Sequence, residues 1–196
     1  MRVDAGLMGG LAEIPERIRE LEAAGFDGAI TAETAHDPFF PLLIAAEHSK
    51  RIELVTSIAV AFARSPMTLA NVAHDLNAFS KGRFILGLGS QIAPHITKHF
   101  SMPWSHPAAR MRELILAMRA IWANWYEGRK LEFRGEFYTH TLMTPMFTPL
   151  DTKHGAPKVF LAAVGPLMTE VAGETADGMI AHAFTTRRYL DEVTTP

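Results

Sequence analysis

The sequence predicts an α/β fold in which parallel strands alternate with helices. Six apolar runs of strand length recur along the chain, and segments of helical periodicity separate them. The runs are apolar nearly throughout rather than alternating, the pattern of strands covered on both faces. Gly, Pro, Ser or Asp stands at most of the junctions, where turns and caps need them.

The first run is Val3 to Met8. A helix follows in which Leu11, Ile14, Ile18 and Leu21 recur at spacings of three and four, with Gly25 placed to end it in a left-handed cap. The second run, Gly28 to Glu33, leads through His-Asp-Pro to a short apolar helix predicted to start near Pro41. The third run, Arg51 to Phe62, feeds a helix opened by Ser65 as N-cap and Pro66 at the first helical position. That helix should bury Leu69, Val72, Ala73, Leu76 and Phe79 and stop at Gly82.

The fourth run is RFILGLGSQ, and the longest helix is predicted from Pro107 to Trp125, with Met111, Leu114, Ile115, Met118, Ile121, Trp122 and Trp125 on one stripe. Residues 128–157 break the rhythm and are rich in Pro, Thr, Phe and Met, as an excursion from the fold would be. The rhythm resumes with KVFLAAVGP, a helix to Ala176, the sixth run GMIAHAF, and a last polar helix from Thr185 to about Val193.

Repeated strand–helix–strand units imply parallel strands joined by crossovers. An open doubly wound sheet and part of a closed barrel both fit, and periodicity does not choose between them. The joints GFDG and ADG recur at corresponding places, a faint repeat that mildly favours a barrel. We read residues 1–196 as one domain carrying the excursion.

Composition excludes several classes. A formal net charge of −2 leaves no basic footprint for nucleic acid or an anionic membrane. With no cysteine, thiolate nucleophiles, disulfides and cysteine-ligated metals are ruled out. No apolar stretch is long enough for a membrane span, and the N-terminus lacks a signal-peptide pattern, so a cytoplasmic location is expected. His95 and His99 would share a helix face, but with no evident third ligand no metal site is expected. Trp122 and Trp125 read as core.

Four stretches carry a resemblance. AETAHDPFFPLLIAAEHS follows the second run, VTSIAVAFARSPMTLA crosses the third, GRFILGLGSQ is the fourth, and VFLAAVGPLMTEVAGETADG holds the fifth. Together and in this order they resemble the luciferase-like monooxygenase superfamily, in particular its actinobacterial deazaflavin-dependent branch. The resemblance implies a TIM-type (β/α)8 barrel with coenzyme F-420 at the C-terminal mouth of the strands. Only about six βα units are present, so a truncated or shortened homologue is expected, with open first and last strands.

The resemblance also implies site residues. A cis peptide bond at Ser57–Ile58, with Ala59, would back the deazaflavin ring. Gly87 and Gly89 would line the pocket, since glycine lets backbone approach a ligand. Ala163, Val164, Gly165, Pro166, Leu167 and Met168, where a strand ends and a helix begins, would hold the cofactor phosphate on backbone amides. Glu33 and His36 are the candidates for substrate-side acid–base chemistry, although His36 could simply cap the His-Asp-Pro turn. The substrate would sit above the ring, among Glu33, His36 and the loop Gln91–His95.

Relatives that oxidise sugar phosphates carry Asp-His where this chain has Glu33-Thr34, and Glu where it has Ser90, so that activity is not expected. His182 reads as pocket-lining. The implied activity is hydride transfer between F-420 and a small organic molecule. The rivals are an FMN-dependent monooxygenase of the same superfamily and a non-catalytic flavin-binding homologue. A homodimer is expected from the open edges and from the apolar helix 107–125.

Overall fold

A computed structural model describes residues 2–194. Its main sheet is wholly parallel, and its strands are β1 (Asp4–Gly6), β2 (Gly28–Thr31), β3 (Glu53–Thr56), β4 (Ala59–Val60), β5 (Phe84–Gly89), β8 (Lys158–Ala162) and β9 (Gly178–Ile180). Beside the hairpin β6 (Phe133–Arg134) with β7 (Thr139–His140), these complete the strands of the described residues. The spatial order is β1-β2-β3-β5-β8-β9, with β4 pairing β5. Order in space therefore follows order in sequence. A doubly wound sheet would reverse direction at a switch point, and none occurs here. The sheet instead curls into half of a barrel.

The helices are α1 (Ile14–Ala23), α2 (Phe39–His48), α3 (Pro66–Phe79), α4 (Pro107–Glu127), α5 (Pro166–Thr175) and the short α6 (Arg187–Tyr189). From α1 to α5 each packs on the next. Between them and the sheet lies the core, where Ala29, Leu54, Leu86, Val159 and Leu161 meet helix residues such as Ile18, Leu42, Leu69 and Trp122. Ile30, Val55, Ile85, Phe160 and Met179 face the concave side instead, around a hollow of about 380 Å3.

Local chemistry accounts for the element ends. Gly25 adopts φ +87°, and the Phe26 N–H returns to Leu21 O at 3.2 Å, a left-handed cap. The Ser65 hydroxyl accepts from Thr68 N–H at 3.2 Å and starts α3. Helix α2 begins at Phe39, two residues before the predicted start at Pro41, because the Asp37 carboxylate takes the Phe39 N–H at 2.8 Å. Phe79, predicted as core, is 51% exposed at the end of α3.

The faint repeat is a structural device. Asp27 donates its N–H to Val3 O and accepts Val3 N–H on its carboxylate, at 2.9 and 2.7 Å. Asp177 does the same with Val159, at 2.7 and 2.8 Å. Each aspartate pins the start of its own strand to the strand before. The glycine that follows lies against its register partner: an added Cβ on Gly28 would strike the Asp4 carboxylate, and one on Gly178 would sit 2.7 Å from the Phe160 ring.

The long helix α4 buries every residue of its predicted stripe. Its apolar face is consumed within the chain, so it gives no reason to expect a partner there. Residues 128–157 run through the β6–β7 hairpin, whose turn is held on Glu113. That carboxylate accepts from Glu136, Phe137 and Tyr138 N–H at 2.9, 2.8 and 2.6 Å.

Candidate active site

A bulge in the third strand forms one wall of the site. β3 pairs β5 up to Val55↔Ile85, and β4 resumes with Ala59↔Leu88, so one residue is extra on the first strand. Thr56 makes the break: its hydroxyl donates to Gly87 O and accepts Gly87 N–H, both at 2.8 Å. A side chain thus satisfies the β5 groups that backbone would otherwise pair. The Ser57–Ile58 peptide is cis, as the resemblance implied. On the other side, Ser57 N–H donates to Thr31 O at 2.6 Å and Glu33 N–H to Ile58 O at 3.2 Å.

The opposite wall is the end of β8, which runs through Ala163 and Val164 to Gly165, the N-cap of α5. Between the walls lies a cavity of about 440 Å3 bounded by Ser57, Ile58, Gly89, Ser90, Gln91, Ala162 to Val164 and Ile180 to Ala183. Gly165 opens to solvent, with nothing within 4 Å of an added Cβ. Pro166 occupies the first helical turn, where it has no N–H to leave unpaired. Leu167 N–H precedes the first intrahelical bonds, which Met168 and Thr169 N–H make to Gly165 O at 3.1 and 3.0 Å. Leu167 is 68% exposed beside it, and the Tyr189 hydroxyl closes Val164 O at 2.7 Å.

Of the residues singled out in the sequence, Ser57, Ile58, Gly89, Ala163 and Val164 bound this cavity, and the N-terminus of α5 adjoins it. Ala59 is buried in β4 just behind the bulge. Gly87 does not line the cavity. An added Cβ there would strike Thr56 O, so this glycine serves the close approach of β3 to β5.

Glu33 and His36 stand outside the cavity as well. The Glu33 carboxylate accepts Val60 N–H and the Arg64 guanidinium, each at 2.7 Å, with side chains only 8% and 16% exposed. Arg64 also reaches Asp37 at 3.0 Å and lies over the Phe39 ring. Glu33 is thereby placed as a brace for the bulge. His36 is exposed, and the cap of its turn is made by Asp37. The histidine pair 95 and 99 lies in a π-helical turn, His95 bonded to Gln91 Oε1 at 3.0 Å and His99 packed on Phe100.

Sequence reasoning missed Thr56 and Arg64. Both lie within VTSIAVAFARSPMTLA, but only the fold shows their partners. It also gave no role to Ile180, the last residue of β9, or to Ala183 in the turn beyond it.

A parallel half-barrel with a cavity at the C-terminal ends of its strands defines an α/β-barrel class of protein, whose sites lie at that face. The chain belongs to the luciferase-like monooxygenase family, whose profile matches residues 2–194. An uncharacterized protein of Mycobacterium tuberculosis is 58% identical over 196 residues, all of this chain and 58% of its own length. The F-420-dependent glucose-6-phosphate dehydrogenase of Intrasporangium calvum is 29% identical, over 87% of this chain and 54% of that protein. The chain therefore spans little more than half the length of these curated relatives. Among solved structures, an F-420-dependent secondary alcohol dehydrogenase in complex with an F-420–acetone adduct superposes with a TM-score of 0.81. It is 18% identical and covers 98% of this chain and 61% of that one, a likeness of fold.

Proposed function

We propose that the mouth cavity binds the deazaflavin coenzyme F-420, and that the chain is the cofactor-holding part of an oxidoreductase acting on a small organic molecule. The observation that carries this is the placement of the bulge at Ser57–Ile58 across one cavity from the start of α5. A flat ring needs an apolar, sterically fixed support, and a phosphate needs free amides at the positive end of a helix. The bulge bounds the cavity, and the start of α5 follows the strand end Ala163–Val164 that bounds it too. The relative from Intrasporangium calvum, named for F-420, adds support at the level of family.

In this reading Ser57 and Ile58 back the ring, with Ala59 buried behind them, and Gly89 keeps its flank low. Gly165 and Leu167 offer N–H groups to the phosphate, with Ala163 and Val164 forming the wall between. When bound, the coenzyme supplies the hydride chemistry. The chain orients it and keeps water from one face with Ile58, Ala162 and Ile180. Glu33 and Arg64 act at a distance, holding Val60 and hence the bulge in place.

Titration with F-420 and with FMN, followed by coenzyme fluorescence, tests the assignment. Saturable quenching by F-420 at lower concentration than FMN is the expected result. Preference for FMN would favour a flavin-dependent monooxygenase, and binding of neither by folded protein would leave a non-catalytic homologue.

A further inference from the structure

His182 stands between two hollows. It lines the mouth cavity, and it also lines a second hollow of about 300 Å3 bounded by Val164, Phe184, Thr186 and Tyr189. Among the residues bounding the mouth cavity it is the one imidazole. Its ring is fixed by its neighbour. Phe184 N–H donates to Nδ1 at 3.2 Å, and the Phe184 ring packs on the imidazole with centroids 5.3 Å apart. A ring nitrogen that accepts carries no proton, so a neutral His182 holds its proton on Nε2.

Other side chains of the cavity keep a free donor as well. Ser90 spends its hydroxyl on Gln91 O at 3.1 Å, and Gln91 spends Oε1 on His95. That leaves the Ser57 hydroxyl, the Gln91 amide N–H groups and His182 Nε2–H. Between them the wall is of small apolar residues, without a carboxylate or a cation among those that bound it. Neutral donors set in an apolar wall match an uncharged acceptor such as a carbonyl oxygen.

We propose that His182 donates a hydrogen bond from Nε2–H to a carbonyl oxygen of the molecule held in the mouth cavity. The proposal rests on reading that cavity as the functional site. The carbonyl is either one on the coenzyme ring or that of a ketone bound beside it.

Nitrogen-15 spectra of histidine-labelled protein at pH 8 distinguish the two, with the His182 signals identified by their loss in His182→Gln. The free protein should show the Nε2-protonated tautomer. A shift of Nε2 on saturation with F-420 places the acceptor on the coenzyme. A shift only on adding cyclohexanone, with or without F-420, places it on the ketone. His182→Phe should then weaken binding of the molecule that moves the signal about tenfold, the scale of one hydrogen bond. His182→Gln, which keeps a donor, should recover most of that loss. Since His182 is exposed, thermal unfolding of both variants should match the parent. A tautomer protonated on Nδ1, or a signal that neither probe moves, overturns the proposal. Absence of F-420 quenching would sink the coenzyme assignment alone, because the tautomer and the cyclohexanone titration still decide the role of His182.

Discussion

Arg64 joins the end of the bulged strand, the loop after β2 and the start of α2. It does so through Glu33, Asp37 and Val60 O, the last at 3.2 Å. Removing it leaves Glu33 buried without its cation. Arg64→Ala should therefore cost about 3–5 kcal/mol in urea unfolding, as loss of one member of a buried pair does. An unchanged midpoint would show the pair to be solvated. Thr56→Val preserves shape but strands the Gly87 N–H and C=O inside the sheet. We expect a loss of about 2–3 kcal/mol, with weaker F-420 binding because the bulge is released. Glu22 gives a pH signature. Burial pushes its carboxyl up, but N–H bonds from Arg51, Ile52 and Lys50 and the Arg51 charge outweigh this and hold it below the ordinary 4.5. A carboxyl lowered in the folded state stabilises above its unfolded pKa, and that stability fades as pH falls through the folded value. Stability measured downward from pH 5 should thus fall less steeply in Glu22→Gln than in the parent.

At the scale of elements, the start of α5 is where stability and binding make opposite demands. A carboxylate in the first turn of a helix stabilises it by about 0.3–1 kcal/mol, yet it repels a phosphate placed there. Leu167→Glu should therefore keep or slightly raise the melting temperature while weakening F-420 binding at least tenfold. Equal affinity in the variant would move the phosphate elsewhere. Much of this level could be read from sequence, because Ser65-Pro66, Gly25 and Gly165-Pro166 are local signals whose chemistry acts within one turn. What escaped was long-range. Glu33 reads as an acid near a strand end, and only the fold brings Arg64, distant in sequence, onto it. Gly87 and Gly89 are alike in sequence and, two apart on β5, share a face, but the bulge beside them sets Thr56 O against the first and the Ile58 side chain against the second.

For the whole molecule, six runs and their helices were legible because most strands are apolar on both faces and most helices end on turn residues. Sequential strand order was not, since periodicity carries no information about which strand neighbours which. In the described sheet β1 and β9 each pair one strand, leaving outer edges with unsatisfied backbone groups. The concave side also carries Ile30, Phe160 and Met179. We propose that a second copy covers part of this surface. Light scattering should then give twice the 21.6 kDa chain mass. A monomer at all concentrations would contradict a homodimer. The central claim, however, concerns the mouth. A crystal structure of the protein with F-420 tests it most directly. The account predicts the ring over Ser57 and Ile58 and the phosphate at the N-terminus of α5. Coenzyme density anywhere else, such as in the concave hollow beside Val55 and Phe160, would contradict it.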